Sequence, residues 1–256
     1  MERLIIKKFV LGIMSTNCYL IENNNHSILI DPGDKAELLI NYLTQNYLLL
    51  TAILLTHGHF DHIGAIDELV EKYNCPVYIH QDDYEMIYND QLNLSNYYSE
   101  LKIKSKVTAV DKNIDIGDFH FEFLHLPGHT IGSCFIILKN YHVIFSGDVL
   151  FKNGIGRFDF PTSSSTDTRN SIKKIKEIKD DYEIYPGTFW LDNSIVKAYD
   201  KKGNLKYLYK VMIADDLSVT FKKHSNCPDY TDFNFETWEE TAKRIKPVFN
   251  LPVLYT

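Results

Sequence analysis

The sequence contains no CxxC pair. Its four cysteines, Cys18, Cys75, Cys134 and Cys227, are scattered, which in a chain of this size argues for unpaired thiols in a reducing compartment and against a disulfide frame. The stretch MERLIIKKFVLGIMSTNCYLI is interrupted by Lys7 and Lys8, then by Gly12 and Ser15–Asn17, so it makes a poor signal peptide and is too short for a membrane span. A soluble cytoplasmic protein is the expectation. Basic residues are in deficit, 27 against 34 acidic, for a net charge of -7. That balance argues against nucleic-acid backbones and anionic membranes as main partners. Short-period repeats and low-complexity linkers are absent, and the C-terminal part shows no glycine-rich phosphate loop.

What is present is enough for a large core. Hydrophobic residues make up 45% of the 256, with 17 Tyr and 15 Phe, so much of the interior should be aromatic. RLIIKKFV, NCYLIEN and HSILIDPG read as strands, the last punctuated by a turn. KAELLINYLTQN and HIGAIDELVEKY carry helical spacing, LTAILLT and PVYIH read as buried strands, and 81–106 reads as helix and loop rich in Tyr and Asn. The second half repeats the logic: strands at FHFEFLHL, SCFIILK, YHVIFSGD and EIYPG, with a helix at TRNSIKKIKEIKDD capped near Thr166 or Asp167. Two β-rich halves, each with helices, predict two packed sheets with helices outside. Residues 1–190 form this domain. Residues 191–256 have a separate character, with a hairpin around Lys202-Gly203-Asn204 and a helix in NFETWEETAKRIKPVF.

The chemistry concentrates in LLTHGHFDHIGA, where His57, His59, Asp61 and His62 follow an apolar strand. Alternate residues of an extended chain share a side, which aims His57 and His59 at one place. Asp61 and His62 fall where the next helix begins, and a carboxylate suits that position. Two further pieces end strands in the same way: His129 in LHLPGHT and Asp148 in IFSGDVLF. A solvated histidine-rich loop and two ordinary turns would account for each piece alone; the order and spacing together point to a metal.

THGHFDH, PGHT and SGDVLFKNGIGRFD, with TNCYLIEN, ILIDPGD and YPG around them, resemble the metallo-β-lactamase superfamily over roughly residues 5–190. Within it, GDVLFKNGIGRFD looks most like the glyoxalase II-type hydrolases of S-acyl glutathione and related thioesters. The resemblance implies an α/β fold, the αββα four-layer sandwich, with a C-terminal extension. It implies His57, His59 and His129 as ligands of a first metal, Asp61 and His62 as ligands of a second, and Asp148 as the bridge. Zinc is the implied ion, one or two per chain, with iron or manganese as alternatives. A metal-activated hydroxide, aimed by Asp61, would attack an acyl carbonyl and release a thiolate. Arg157, and more weakly Lys152, would contact substrate carboxylates; a salt bridge from Arg157 to Asp159 is the alternative.

One position departs from the pattern. The family supplies a last histidine for the second metal after YPG, and this chain has Thr188. Asp192 and His224 are candidates to fill that place. His125, His80, His120 and His142 are read as structural or surface groups, with an outer contact of a metal ligand as the alternative for His125. The expected partner is a small-molecule substrate, with no nucleic acid and no membrane; the extension could cap the substrate mouth or make a homodimer. The alternatives to a thioester hydrolase are hydrolysis of a lactone or phosphodiester, or a binding protein that keeps the fold with a degraded second site. A flavin-coupled di-iron oxidoreductase would need a domain that 191–256 is too short to supply.

Overall fold

The computed structural model describes residues 4–23, 26–98, 101–151, 154–179, 181–188, 195–199, 205–213 and 219–223. The chain divides into two compact units: Met1–Phe151 with Ile155–Phe189, and Lys152–Gly154 with Trp190–Thr256.

In the first unit, a six-stranded sheet runs β1 (Ile5–Leu11), β2 (Thr16–Asn23), β3 (His26–Ile30), β4 (Leu49–Leu55), β5 (Val77–His80) and β6 (Val107–Val110) in spatial order. The first three strands pair antiparallel and the rest parallel. A second sheet orders the strand Glu183–Pro186, then β10 (Val143–Gly147), β9 (Cys134–Leu138), β8 (Phe119–His125) and β7 (Asn113–Ile116).

Strand periodicity explains how the layers stack. Successive side chains point to opposite faces. Tyr19, Ile21, Ile28, Ile30, Ala52 and Leu54 therefore meet Phe121, Phe123, Ile136 and Phe145 between the sheets. The alternate residues Leu20, Leu29, Ile53 and Leu55 meet Leu39 and Leu43 of α1 (Ala36–Gln45) and Ile66 and Leu69 of α3 (Ile66–Tyr73). On the far side, Phe135, Ile137 and Ile144 pack against Ile175 of the helix Ser165–Lys176. Helix, sheet, sheet, helix is the four-layer order the sequence predicts.

Several local details differ from the sequence reading. The helix expected over HIGAIDELVEKY is two pieces, α2 (Phe60–Ile63) and α3, broken at Gly64-Ala65. The cap of Ser165–Lys176 is Ser164, whose hydroxyl accepts from Asp167 N–H, and neither Thr166 nor Asp167 fills that place. In the second unit, Ile195–Tyr199, Leu205–Ile213 and Val219–Lys223 form an antiparallel sheet. The first two strands flank the predicted hairpin. Its turn residues, the predicted C-terminal helix, and Lys152, Asp192, His224 and Cys227 lie outside the described residues. Cys18, Cys75 and Cys134 are buried free thiols. Among the described residues, no helix is long and apolar enough to cross a membrane.

Phe145 is wholly buried between the sheets, with its ring 5.5 Å from Tyr19 and 5.4 Å from Tyr185. Replacing it by alanine leaves a cavity that the two sheets cannot close, and the expected loss is about 3–5 kcal/mol. Denaturant unfolding of Phe145→Ala measures it; a loss near 1 kcal/mol would mean the layers slide together.

Candidate metal centre

The site lies where strands of both sheets end, the crevice that open α/β sheets use for ligands. Thr56 and His57 follow β4, Asp31 follows β3, Asp148 follows β10, and Thr188 follows the strand Glu183–Pro186. Thr16 opens β2, which runs antiparallel to β3 and so starts at the same edge. Gly147 makes the exit from β10 with φ +48°, a conformation that suits glycine.

Three imidazoles converge. His57 Nε2 lies 3.0 Å from His59 Nδ1, and His59 Nδ1 lies 3.0 Å from His129 Nε2. All three rings are buried. Their neighbours assign the protons. His129 Nδ1 is 2.7 Å from the Arg157 carbonyl and must donate to it, which leaves a bare lone pair on Nε2. Thr56 Oγ1 donates to Asp31 Oδ2 (2.7 Å), so His57 Nδ1, 3.2 Å from that hydroxyl, is its donor, and His57 Nε2 is bare too. Two lone pairs thus face one nitrogen, which carries at most one proton. Nitrogens on a tetrahedral zinc with ~2.0–2.1 Å bonds lie about 3.3 Å apart. The set fits a cation. Burial holds the pKa of His57 and His59 well below the ordinary value, and that of His129 below it, so all three rings are neutral at pH 7.

Beside them sits a second group of donors. His62 Nε2 has no hydrogen-bond partner and lies 3.5 Å from Asp61 Oδ2 and 3.6 Å from Asp148 Oδ1. Asp148 Oδ2 faces the other way, 3.7 Å from His129 Nε2. The carboxylate therefore spans both clusters. Burial opposes charge on His62, yet the carboxylates of Asp61, Asp31 and Asp148 raise its pKa to about 10. Thr188 Oγ1 donates to Asp148 Oδ1 at 3.0 Å. Gly187 allows this approach, since a Cβ there would lie 2.6 Å from Asp148 Oδ1.

The groups that hold these ligands are the ones sequence reasoning missed. Asp31 accepts from Thr56 N–H (2.8 Å) and from the Thr56 hydroxyl, and its Oδ2 is 3.0 Å from His62 Nδ1. One carboxylate thus orients His62 directly and His57 through Thr56. It does so with φ 51°, a strained value for a non-glycine residue. Asp83 accepts from Gly58 N–H (3.0 Å), the Thr130 hydroxyl (2.7 Å) and Gly132 N–H (2.6 Å). It ties the loop of His57 and His59 to the loop of His129. Burial pushes its pKa up to about 6, against the pull of those three bonds. A charged residue directly after the apolar strand HSILI signals Asp31; nothing in HQDDYE singles out Asp83.

Other sequence candidates fall elsewhere. The Arg157 guanidinium is bidentate on Asp159 (2.8 and 2.7 Å) and lies over the Phe160 ring. Reaching a substrate carboxylate would require that pair to open, while the Arg157 carbonyl orients His129. His125 bonds to the Ile131 carbonyl (2.8 Å), within the loop that follows His129. It also groups with His80 and Asp82. The two rings of that group stack at 4.1 Å with 16° between planes, so their in-plane lone pairs run side by side and do not converge on one ion. His142 bonds to the Asp181 carbonyl, and exposed His120 pairs with Asp115. A groove of about 310 Å³ reaches Asp61, walled by Phe60 stacked on Tyr98, with Ile13, Asp34 and Leu101 along it.

Asp83→Ala releases both ligand-bearing loops from their common anchor. The expected outcome is metal binding about 10–100-fold weaker, read by competition with a chelating dye. Unchanged affinity would show that the loops hold themselves.

The family model described as the metallo-β-lactamase superfamily matches residues 11–187. The probable metallo-hydrolase YqgX of Bacillus subtilis is 37% identical over 157 residues, 60% of this chain and 74% of that one. The hydroxyacylglutathione hydrolase GloC of Haemophilus influenzae is 33% identical over 178 residues, 67% of this chain and 84% of that one. Among solved structures, TTHA1623 in a di-iron-bound form superposes with a TM-score of 0.65 at 32% identity, covering 72% of this chain and 92% of that one. The chain therefore belongs to the metallo-β-lactamase superfamily, and the convergent histidines with the carboxylates beside them form its candidate metal centre.

Proposed function

We propose that the protein hydrolyses a small thioester, of the S-acyl glutathione class or a related thiol, with a divalent metal held by His57, His59 and His129. The observation that carries this reading is the convergence of three neutral imidazole nitrogens beside Asp61, a residue that also lines a groove. GloC, a relative named for hydroxyacylglutathione hydrolysis, supports the substrate class. Zinc suits the three-nitrogen set, and iron is named in the TTHA1623 structure.

A divalent ion at such a site lowers the pKa of a water it binds and polarises a carbonyl oxygen. The chain's own residues do the rest. Asp61 is fixed by the Thr16 hydroxyl, which donates to Oδ2 at 2.6 Å. Asp61 lines the groove, and its carboxylate would accept the proton of the attacking water. The Phe60–Tyr98 wall offers apolar area to the acyl or thiol arm and thins the water around it. A thiolate leaves without prior protonation. That matches a site whose described groove lining shows acidic, aromatic and aliphatic side chains but no histidine or lysine.

The test uses metal-loaded protein and three substrates: S-lactoylglutathione, a lactone and bis-p-nitrophenyl phosphate. Thiol release from the first should exceed turnover of the others by orders of magnitude. A dominant lactone or phosphodiester rate would overturn the thioester reading, and no turnover of any would favour a binding protein. Asp61→Asn should lower kcat about 10²–10⁴-fold with metal content retained.

A further inference from the structure

We infer that this chain holds a single metal ion, at His57, His59 and His129, and that Thr16 and Thr188 close the neighbouring position by hydrogen-bonding the two carboxylates a second ion would need. This rests on the metal reading of the proposed function and goes beyond it by committing to a count.

The donors available to a second ion are few. Beside the three-histidine cluster, the described residues offer His62 Nε2, Asp61 Oδ2 and Asp148 Oδ1. Those two oxygens are the ones that receive hydroxyl protons: Thr16 Oγ1 donates to Asp61 Oδ2 at 2.6 Å, and Thr188 Oγ1 to Asp148 Oδ1 at 3.0 Å. Bonds from a hydroxyl to an ionised carboxylate are among the stronger hydrogen bonds in proteins. A threonine hydroxyl is neutral, and the protein ligands that hold zinc are thiolate, imidazole and carboxylate. Thr188 therefore takes a carboxylate lone pair and supplies no comparable donor in return.

The two hydroxyls are delivered by one piece of backbone. Thr16 and Thr188 face each other in an antiparallel bridge. Asn17 N–H donates to the Gly187 carbonyl at 2.7 Å, and Gly187 N–H to the Gly147 carbonyl at 2.8 Å. The Asn17 amide and the Tyr19 hydroxyl both donate to the Pro186 carbonyl, at 2.9 and 2.7 Å. This staple fixes the Cα positions of both threonines. Their β-branched side chains have few rotamers with which to turn away, and Thr16 is fully buried. Asp61 and Asp148 are thus positioned for work around one ion, with Asp61 at the groove lining and Asp148 Oδ2 toward His129.

The experiment counts metal in the full-length protein and does not depend on turnover. Protein stripped with chelator is titrated with Co(II), and the visible absorbance is followed. A parallel sample is loaded with excess Zn(II), desalted and assayed for metal by mass spectrometry. The wild-type chain should saturate at one equivalent and retain one zinc. Thr188→His, which restores an imidazole beside Asp148, should retain two. Two tightly held ions in the wild type overturn the inference and leave the proposed function standing. None held at all overturns the proposed function itself. A folded Thr188→His that still retains one refutes the role given to residue 188. Should that variant fail to fold, as far-UV circular dichroism would show, the wild-type titration alone decides the count.

Discussion

Bare imidazole lone pairs that point at each other repel, and most of this site exists to keep three of them together. His57 Nε2 and His129 Nε2 both face His59 Nδ1 at 3.0 Å inside a buried pocket. No assignment of protons satisfies all three nitrogens at once. A divalent cation turns that repulsion into bonding. Without one, the surrounding hydrogen bonds must bear the strain.

Those hydrogen bonds are spread over the chain in an ordered way. Asp31 fixes His57 and His62 from the end of β3, Asp83 couples the two loops, and the Arg157 carbonyl sets the proton on His129. These supports come from separate segments of the chain, with Asp31 serving both His57 and His62. The layered core makes this feasible, because the two sheets present their strand termini along one seam. Buried carboxylates are costly unless fully bonded. Asp83 accepts three hydrogen bonds, and Asp31 accepts two and pairs with His62, which explains why the fold tolerates them.

The sequence displayed the ligands far better than their supports. His57, His59, Asp61 and His62 sit in one six-residue window, and the apolar run before it is strong enough to place it after a strand. The layers were legible for the same reason: Tyr19–Ile21 and Ile28–Ile30, covered on both faces, are visible as runs of large apolar residues. Asp83 was not legible, since its three donors come from residues 58, 130 and 132 and only the fold brings them to it. Thr16 falls between two predicted strands, and its bond to Asp61 spans 45 residues. The break at Gly64-Ala65 was hidden inside a continuous helical pattern. There the chain is steered by contact with Pro32, whose carbonyl accepts from Ala65 N–H at 3.0 Å. Local periodicity carries no information about such distant partners.

Because His57, His59 and His62 hang from one sheet and His129 and Asp148 from the other, an ion bound between them is also a rivet through the sandwich. Neither half owns a complete set of donors. During synthesis the centre cannot assemble until the chain beyond residue 148 has emerged and the second sheet has docked. An early metal encounter would meet only the first histidines on a half-built sheet.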